Sequence, residues 1–420
     1  MPKSPENLVT LSWLNQIMNS FLRIQIQVTN FALEDATPRS KAFAGRICKI
    51  LVEYTEDPDS VSKTLSLSAK FLPEEDIFAK VAKRMRLFER ETMFQHNFVK
   101  QIVRMQRVHP DRAMVPHIPK CVYASASSRI MAIVVDDIEE YGFEVQNRQK
   151  GLSKDEVFLV MEALAKLHAL GFMVLRKHKD RASDMFSRFY AGYPYLSPEV
   201  RDAAADRARH AELLLANVVN NANNSRLFGN YVKRSSLPER HQALIETKTS
   251  LHSFCHGDCW SGNMMFKYDE RSNGTGKPKK VRLLNFEATH YAHPGADLNH
   301  FFYTSTSKEV RKHMPEFLKL YYDEFFKYLR LLNVDFYAKN YPYKQFLIDF
   351  KRHSEIGLIS AVYILPVIMH NKDYSLHVFG DPNSLKALTN KAELSNTASQ
   401  QVNAILIPLR FFTLAFRSQR

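Results

Sequence analysis

The stretch Phe254–Phe286 decides the fold of this chain. It begins with Phe254-Cys255-His256-Gly257-Asp258-Cys259-Trp260-Ser261-Gly262-Asn263, in which the asparagine lies five residues after the aspartate. A strand-like run at Met264–Tyr268, a polar turn and a second strand-like run at Val281–Phe286 come next, and this order is typical of a β-hairpin. The hairpin leads into Asn285-Phe286-Glu287. We therefore expect two polar loops, 256–263 and 285–287, that are joined by one hairpin.

The spacing of Asp258, Asn263 and Asn285 is the arrangement used by phosphoryl-transfer enzymes of the protein-kinase type. In those enzymes an aspartate accepts the proton of the attacking hydroxyl, and an asparagine five positions on holds a magnesium ion. The loop after the hairpin brings a second metal ligand, which is normally aspartate. Phosphoryl transfer needs mainly positioning and neutralisation of phosphate charge. The stretch therefore predicts a kinase-like catalytic loop, although Asp258 could also be a turn residue in an inactive fold.

The sequence before residue 141 predicts a small antiparallel sheet with one helix against it. Ile47–Tyr54 and Thr64–Phe71 are apolar or alternating runs, separated by a polar turn, as in a hairpin. A helical stretch follows around Ile77–Val103. Cys121–Ala124 and Ile130–Val135 then form a second strand pair. Lys70, on an otherwise apolar strand, could by itself be a charge that protects a sheet edge.

From residue 141 the pattern becomes mostly helical. Ser153-Lys154-Asp155-Glu156 fits a capping box, and apolar residues then recur at helical spacing as far as His168. His168 is expected to be a buried core histidine. Asn217–Ser225 is asparagine-rich and predicts a surface loop. We place the boundary between the two regions near Asp136–Tyr141.

Composition limits the class of protein. The 420 residues carry a net charge of +14, which favours anionic partners, yet no zinc finger or RNA-binding signature accompanies it. We therefore expect no nucleic acid partner. No apolar run is long enough for a membrane span, and the four cysteines suit a reducing compartment, so a cytoplasmic protein is expected. Oligomeric state cannot be inferred from the sequence.

Several motifs together resemble one family. They are Cys255–Asp269, Pro294-Gly295-Ala296-Asp297-Leu298, Val134-Val135-Asp136-Asp137-Ile138 and Ala163–Ala169. The chain resembles the ecdysteroid kinase-like family, relatives of choline and aminoglycoside kinases, over roughly Phe43–Met369, with a core at roughly 130–315. The resemblance implies an α+β, two-lobed protein-kinase-like fold. A small antiparallel-sheet N-lobe would span 1–138 and a larger, mostly helical C-lobe 139–420, with ATP between them.

The resemblance also implies roles for individual residues. Asp258 would be the catalytic base, supported by His256 and Asp297 behind the loop. Lys70 would pair with the ATP phosphates and be held by Glu91, or by its rival Glu89. The remaining ATP-binding positions are Gly45 in the phosphate-covering turn Ser40–Gly45 and the hinge residues Asp136, Asp137 and Ile138. The metal, Mg²⁺ or Mn²⁺, would be held by Asn263 and Asn285, and we add Glu287 as a third ligand because carboxylate and amide have exchanged positions in the triplet.

Two departures from the family pattern bear on activity. The family normally has aspartate where Asn285 stands, and a hard divalent cation prefers a carboxylate. Glu287, two residues on, could supply the missing charge. The turn Ser40–Gly45 also differs, because the family tends to have glycine at position 40 and serine at position 45.

Three functional hypotheses follow. The leading one is a kinase that transfers the ATP γ-phosphoryl group to an alcohol of an ecdysteroid or a similar lipophilic metabolite. The second is a pseudokinase that binds a ligand or a protein without chemistry, which Asn285 favours. The third, a polyanion binder, rests on net charge alone. Cys255, His256 and Cys259 resemble part of a zinc site, but no second ligand pair follows at zinc spacing.

Overall fold

The computed structural model of the protein describes residues 5–35, 46–57, 59–72, 77–111, 114–127, 130–147, 150–190, 229–231, 236–269, 276–334 and 340–368. Gly45, the rest of the turn Ser40–Gly45 and the loop Asn217–Ser225 lie outside these residues.

Five antiparallel strands form the sheet of the smaller lobe. They are β1 (Gln27–Asp35), β2 (Arg46–Thr55), β3 (Lys63–Phe71), β4 (Cys121–Ala126) and β5 (Met131–Asp136), in the order β1-β2-β3-β5-β4. In this register Lys70 lies opposite Ile47 on one side and Ile133 on the other. Lys70 is therefore on an inner strand, and the reading of it as protection of a sheet edge is wrong.

Two helices precede the sheet, α1 (Pro5–Leu8) and α2 (Leu11–Leu22). The Thr10 side chain caps α2 by accepting a hydrogen bond from Trp13 N at 3.2 Å. Trp13 packs edge-on against Tyr123 of β4, with ring centroids 5.4 Å apart. Helix α2 thereby covers part of the sheet, and its residues Trp13 and Leu14 contribute to the core of the smaller lobe.

The single helix predicted around Ile77–Val103 is instead a broken one. It consists of α3 (Ile77–Arg84), α4 (Leu87–Met93), a π-helical turn (Phe94–Val99) and α5 (Lys100–Val108). Arg86 has a φ of 53°, and this left-handed conformation interrupts the helix before Leu87. The π-helical turn changes the direction of the side chains that follow it, because an extra residue in a helical turn rotates the rest of the helix about its axis.

The larger lobe is built on α6 (Lys154–Lys177), which begins with the predicted capping box. Ser153 N donates to Glu156 Oε2 at 2.7 Å, and Glu156 N donates to Ser153 Oγ at 3.3 Å. Helix α6 is long and apolar enough to cross a membrane, but 83% of its most apolar window is buried inside the protein. It is therefore a core helix. The other helices that the structure describes in this lobe are α7 (Ala182–Met185), α8 (Ser187–Tyr190), α9 (Leu237–Ile245), α10 (Gly295–Ser305), α11 (Lys308–Arg311), α12 (Met314–Leu331), α13 (Tyr343–Arg352) and α14 (Ser354–Ile368).

Short strands carry the two polar loops. β6 (Phe143–Val145), β8 (Met264–Tyr268) and β9 (Pro278–Leu283) form one sheet, and β7 (Ser253–Cys255) pairs with β10 (His290–Ala292). The predicted hairpin is present, but β9 ends at Leu283 rather than Phe286, because Asn285 adopts a φ of 64°. A 3-10 turn, Ile138–Tyr141, joins the smaller lobe to the larger one. The protein therefore has a two-lobed, α+β, protein-kinase-like fold.

Candidate active site

Lys70 is the centre of a buried cluster that joins the two lobes. Its Nζ donates to Glu91, to Asn285 Oδ1 at 2.8 Å and to Glu287 Oε2 at 2.9 Å. We call Lys70, Glu91, Asn285 and Glu287 the lysine cluster. Glu91, not Glu89, is the partner, because Glu91 shares a helix face with Phe88, whose ring centroid lies 5.5 Å from Lys70 Nζ.

The lysine cluster holds one cation between two buried carboxylates. Burial by itself would lower the pKa of Lys70, but the Glu287 and Glu91 carboxylates raise it above its ordinary value. Lys70 is therefore a stable ammonium group. Burial raises the pKa of Glu91, and Lys70 offsets only part of this effect because Glu287 adds repulsion. Although asparagine stands at position 285 in place of aspartate, a carboxylate still contacts Lys70, because Glu287 supplies it from two residues further on.

The turn that carries Asn285 and Glu287 is fixed by its middle residue. The Phe286 ring stacks on Phe94 of the π-helical turn, with centroids 3.8 Å apart and planes within 6°. The Phe286 ring also lies against the His256 ring, with centroids 4.6 Å apart. Phe286 N also donates to Glu91 Oε1 at 3.2 Å. The three rings therefore connect the π-helical turn with the catalytic loop.

The catalytic loop holds Asp258 through Asn263. The Asn263 amide donates to Asp258 O at 2.8 Å and to Asp258 Oδ2 at 2.7 Å. The Asp258 side chain is 25% exposed, so a substrate can reach it. Gly257 has a φ of 86°, and a Cβ there would lie 2.1 Å from Ala288 O. Only glycine allows the loop to approach the 286–288 turn so closely.

Asp297, at the start of α10, anchors this loop from behind. Its carboxylate accepts hydrogen bonds from His256 N at 2.6 Å, from Gly257 N at 2.9 Å and from His168 Nε2 at 3.0 Å. Burial by itself would raise the pKa of Asp297, but the hydrogen bond from His168 and the neighbouring imidazoles hold it below its ordinary value. Asp297 is therefore an ionised structural anchor for the backbone just before Asp258.

His256, the first residue of the catalytic loop, contacts the backbone of the loop and the residue that follows the hairpin. Its Nε2 lies 2.9 Å from Leu284 O, and its Nδ1 lies 3.3 Å from Asp258 N. The geometry fits a tautomer in which Nε2 donates and Nδ1 accepts. Burial lowers the pKa of His256, which keeps the ring neutral.

The hinge residues Asp136, Asp137 and Ile138 lie between the lobes, and both carboxylates have structural partners. Asp136 Oδ1 accepts from Lys120 N at 2.6 Å, and Asp137 Oδ2 accepts from Ser66 Oγ at 2.7 Å. Ile138 instead belongs to an apolar cluster beside the hinge. The members of that cluster are Ile138, Phe143 and Met265, with Val145 and Leu284 packed against them.

Sequence reasoning did not single out Met265 and Leu284 as parts of the site. Met265 follows Asn263 by two residues and Leu284 immediately precedes Asn285. Met264 packs in the core around α6, whereas Met265 points to the hinge cluster. The alternation of side chains along a strand was the available signal.

The oxygen donors of Asn263, Asn285 and Glu287 suit a hard divalent cation in kind. Because Asn263 uses its amide nitrogen on Asp258, its carbonyl oxygen is the end of the side chain directed elsewhere. Asn285 and Glu287 each present an oxygen at Lys70. Magnesium takes oxygen ligands and usually one or two carboxylates. The donor types are therefore those that this ion prefers, with Glu287 as the carboxylate.

A second group of possible metal ligands is explained by hydrogen bonding. His168, Cys255 and Asp297 have ligand atoms within 4.8 Å of one another. However, His168 Nδ1 lies 2.8 Å from Tyr321 Oη and its Nε2 bonds to Asp297. Burial raises the pKa of the Cys255 thiol well above its ordinary value. His168 is the buried core histidine that the helical pattern predicts, and we assign no metal to this group.

The fold and the site together define a kinase-like protein, with a lysine–glutamate pair in one lobe and an Asp–Asn catalytic loop in the other. The sequence profile of the ecdysteroid kinase-like family matches residues 39–334. This match spans more than half of the 420-residue chain, and the protein therefore belongs to the ecdysteroid kinase-like family. No curated protein matches the chain in sequence.

Solved structures with a similar chain path include two aminoglycoside phosphotransferases. The GDP complex of wild-type aminoglycoside 2'-phosphotransferase-IIIa aligns with 95% of this chain and 98% of its own, at 12% identity and a TM-score of 0.39. Aminoglycoside-3'-phosphotransferase of type VIII aligns with 81% of this chain and 99% of its own, at 14% identity and a TM-score of 0.34.

Proposed function

We propose that the protein is an ATP-dependent kinase that transfers the γ-phosphoryl group to a hydroxyl of an ecdysteroid or a similar lipophilic alcohol. The observation that carries the proposal is the set of contacts at Lys70 Nζ, which meets Glu91, Asn285 and Glu287 at once. A buried ammonium group held in this way is positioned for the ATP phosphates.

In the proposed reaction Asp258 takes the proton of the acceptor hydroxyl. The acceptor oxygen forms a bond to the γ-phosphorus, the bond from the γ-phosphorus to the bridging β–γ oxygen breaks, and ADP leaves with that electron pair. Asn263 holds Asp258 in place through one hydrogen bond to its carboxylate Oδ2 and one to its backbone oxygen. Asp297 keeps the loop backbone fixed during the transfer.

Mg²⁺ or Mn²⁺ would be held by Asn263, Asn285 and Glu287, and when bound it neutralises phosphate charge. The adenine ring would lie on the apolar cluster of Ile138, Phe143 and Met265, next to the hinge. These roles agree with the chain's family.

The test is thermal unfolding of the purified protein with ATP, with and without Mg²⁺ or Mn²⁺. Binding to the folded state raises the melting temperature. We expect a metal-dependent rise, followed by ADP production with ecdysone as the acceptor that is abolished by Asp258→Ala. Absence of any metal-dependent rise at millimolar ATP would contradict the proposal.

A second candidate function is a ligand- or protein-binding pseudokinase, and Asn285 is the observation that favours it. An amide oxygen binds a hard cation less well than a carboxylate does. This candidate predicts that the natural protein binds ATP without turning it over. An Asn285→Asp protein that turns over ATP, beside a natural protein that does not, would support it.

A further inference from the structure

Helix α10 runs along the catalytic loop and contacts it at successive positions. Asp297 accepts from the amides of His256 and Gly257, and Ser305 Oγ accepts from Ser261 N at 2.9 Å. Residues three, four, seven and eight apart share a helix face. His300, three residues after Asp297, is therefore directed at the part of the loop between these two anchor points, where Asp258 lies.

His300 occupies this position with an unused ring nitrogen. The residue is 7% exposed, and its Nε2 lies 3.6 Å from Asp258 Oδ1. Among the residues that the structure describes, His300 Nε2 has no hydrogen-bond partner, and 3.6 Å is too long for a direct hydrogen bond. A buried polar atom without a partner costs stability, so such atoms point to a functional role or to a bound group.

The ring of His300 is neutral at physiological pH. Burial lowers its pKa to about 4, although Asp297 acts in the opposite direction. A neutral imidazole carries one N–H, and the Asp258 carboxylate favours the tautomer in which Nε2 bears it, because an unprotonated nitrogen would repel the carboxylate oxygen. His300 therefore offers a hydrogen-bond donor beside the carboxylate of Asp258.

We propose that His300 Nε2 and Asp258 Oδ1 together bind the oxygen of the acceptor hydroxyl. An oxygen atom can lie within about 2.8 Å of both atoms across their separation. His300 then donates to a lone pair of this oxygen, while the hydroxyl proton points at Asp258 Oδ1. This proposal rests on the proposed function and adds a second residue that touches the substrate.

The role fits the balance of the transfer step. The hydroxyl proton passes to Asp258, the acceptor oxygen bonds to the γ-phosphorus, and ADP departs with the electrons of the broken bond. His300 keeps its proton throughout, because its function is to orient the oxygen lone pairs. A cationic imidazole is not needed, in agreement with the burial of the ring.

Three substitutions separate this role from simple packing. His300→Phe keeps a ring of similar shape but removes the donor. His300→Gln returns an N–H donor at a similar distance from the backbone. His353→Phe is the matched control, because His353 is also buried and also has an unpartnered Nε2, but it stacks on His293 and not on the catalytic loop.

Two assays measure ADP production, one with ecdysone as the acceptor and one without ecdysone, where water is the acceptor. A third measures the thermal shift with metal and ATP. We expect His300→Phe to lower kcat/KM for ecdysone by roughly 10- to 100-fold and to slow hydrolysis as well. The ATP-induced thermal shift should stay as in the natural protein, which also shows that the variant is folded. His300→Gln should recover much of the loss, and His353→Phe should retain turnover.

Three outcomes would contradict the inference in distinguishable ways. Turnover by His300→Phe equal to that of the natural protein overturns the role of His300 and leaves the proposed function intact. Equal losses in His300→Phe, His300→Gln and His353→Phe also overturn it, because packing then explains the effect. A natural protein that turns over ATP with neither acceptor overturns the proposed function, and this inference with it.

Discussion

The lysine cluster and the catalytic loop are the two halves of the site, and they are held together in different ways. Glu91, Lys70 and the 285–287 turn come from distant parts of the chain and meet through buried charges. The catalytic loop is held by hydrogen bonds within a short segment and by Asp297 behind it. The family pattern is kept in the loop and altered in the cluster.

This difference shows in which half of the site a residue could change while the contacts that hold that half are kept. Around the loop Asn263 and Asp297 bond to specific backbone groups, so a substitution leaves a specific partner unsatisfied. In the lysine cluster the requirement is a balance of charge around one ammonium group. Glu287 meets that requirement from a neighbouring position and reaches Lys70 Nζ alongside Asn285. We therefore expect substitutions in the loop to affect chemistry and substitutions in the cluster to affect stability and metal binding.

The largest effect should follow Asp258→Asn. Removal of a general base typically lowers turnover by about 10²- to 10⁴-fold, whereas the lysine cluster and the hinge stay intact. ADP production should fall by this amount with ecdysone, and the ATP-induced thermal shift should persist. A variant with near-natural turnover would show that Asp258 is not the base.

The next effect is the loss of stability in Lys70→Met. The substitution leaves Glu91 and Glu287 buried without their shared cation, and breaking such a pair costs about 3–5 kcal/mol. Urea unfolding at pH 7 measures the loss. The matched control is Lys319→Met, because Lys319 pairs with Asp323 one turn further along α12 and both side chains are exposed, where a pair contributes about 1 kcal/mol or less. Equal losses in the two variants would contradict the assigned role of buried charge.

The two halves of the site also explain what the sequence could and could not predict. The Asp258–Asn263 pair was predictable because both residues lie in one loop and their spacing is short. The choice of Glu91 over Glu89 was not, because the break at Arg86 resets the helix register before both glutamates. The contact of Glu287 with Lys70 and the approach of His300 to Asp258 depend on packing between distant segments. Local patterns carry no information on such approaches.

Acid should affect the buried histidines near the loop and the lysine cluster in opposite directions. Burial lowers the pKa of His241 to about 3 and that of His300 to about 4, whereas a histidine in the unfolded chain titrates near 6.5. Below about pH 6.5 these histidines bind protons in the unfolded chain but stay neutral in the folded protein. Each ring therefore lowers the free energy of unfolding by up to about 1.4 kcal/mol for each pH unit of acidification. Glu91, whose pKa is raised by burial, instead adds stability as pH falls.

Urea unfolding at pH 7.5, 6 and 5 measures this balance. We expect a net loss of stability on acidification. His241→Leu should make the decline shallower, and Glu91→Gln should make it steeper because the opposing group is gone. A stability that is flat over this range in all three proteins would contradict the assigned protonation states.

The smallest effect, and the most direct probe of the altered triplet, comes from exchanging its two polar residues. Asn285→Asp adds a carboxylate where the family has one and should tighten metal-dependent ATP binding by about tenfold, or about 1.4 kcal/mol. Glu287→Gln should weaken it by a similar factor, since it removes the carboxylate of the proposed ligand set. The double variant restores the usual order of aspartate and amide.

Isothermal titration with ATP, with and without Mg²⁺, measures all three proteins against the natural one. Because both side chains contact Lys70 Nζ, their effects should not be independent. We expect the double variant to bind metal and ATP about as well as the natural protein. If Glu287→Gln leaves metal-dependent binding unchanged, Glu287 serves only to neutralise Lys70. The natural protein would then lack an effective carboxylate ligand at this turn, and the pseudokinase alternative would be the better account of its function.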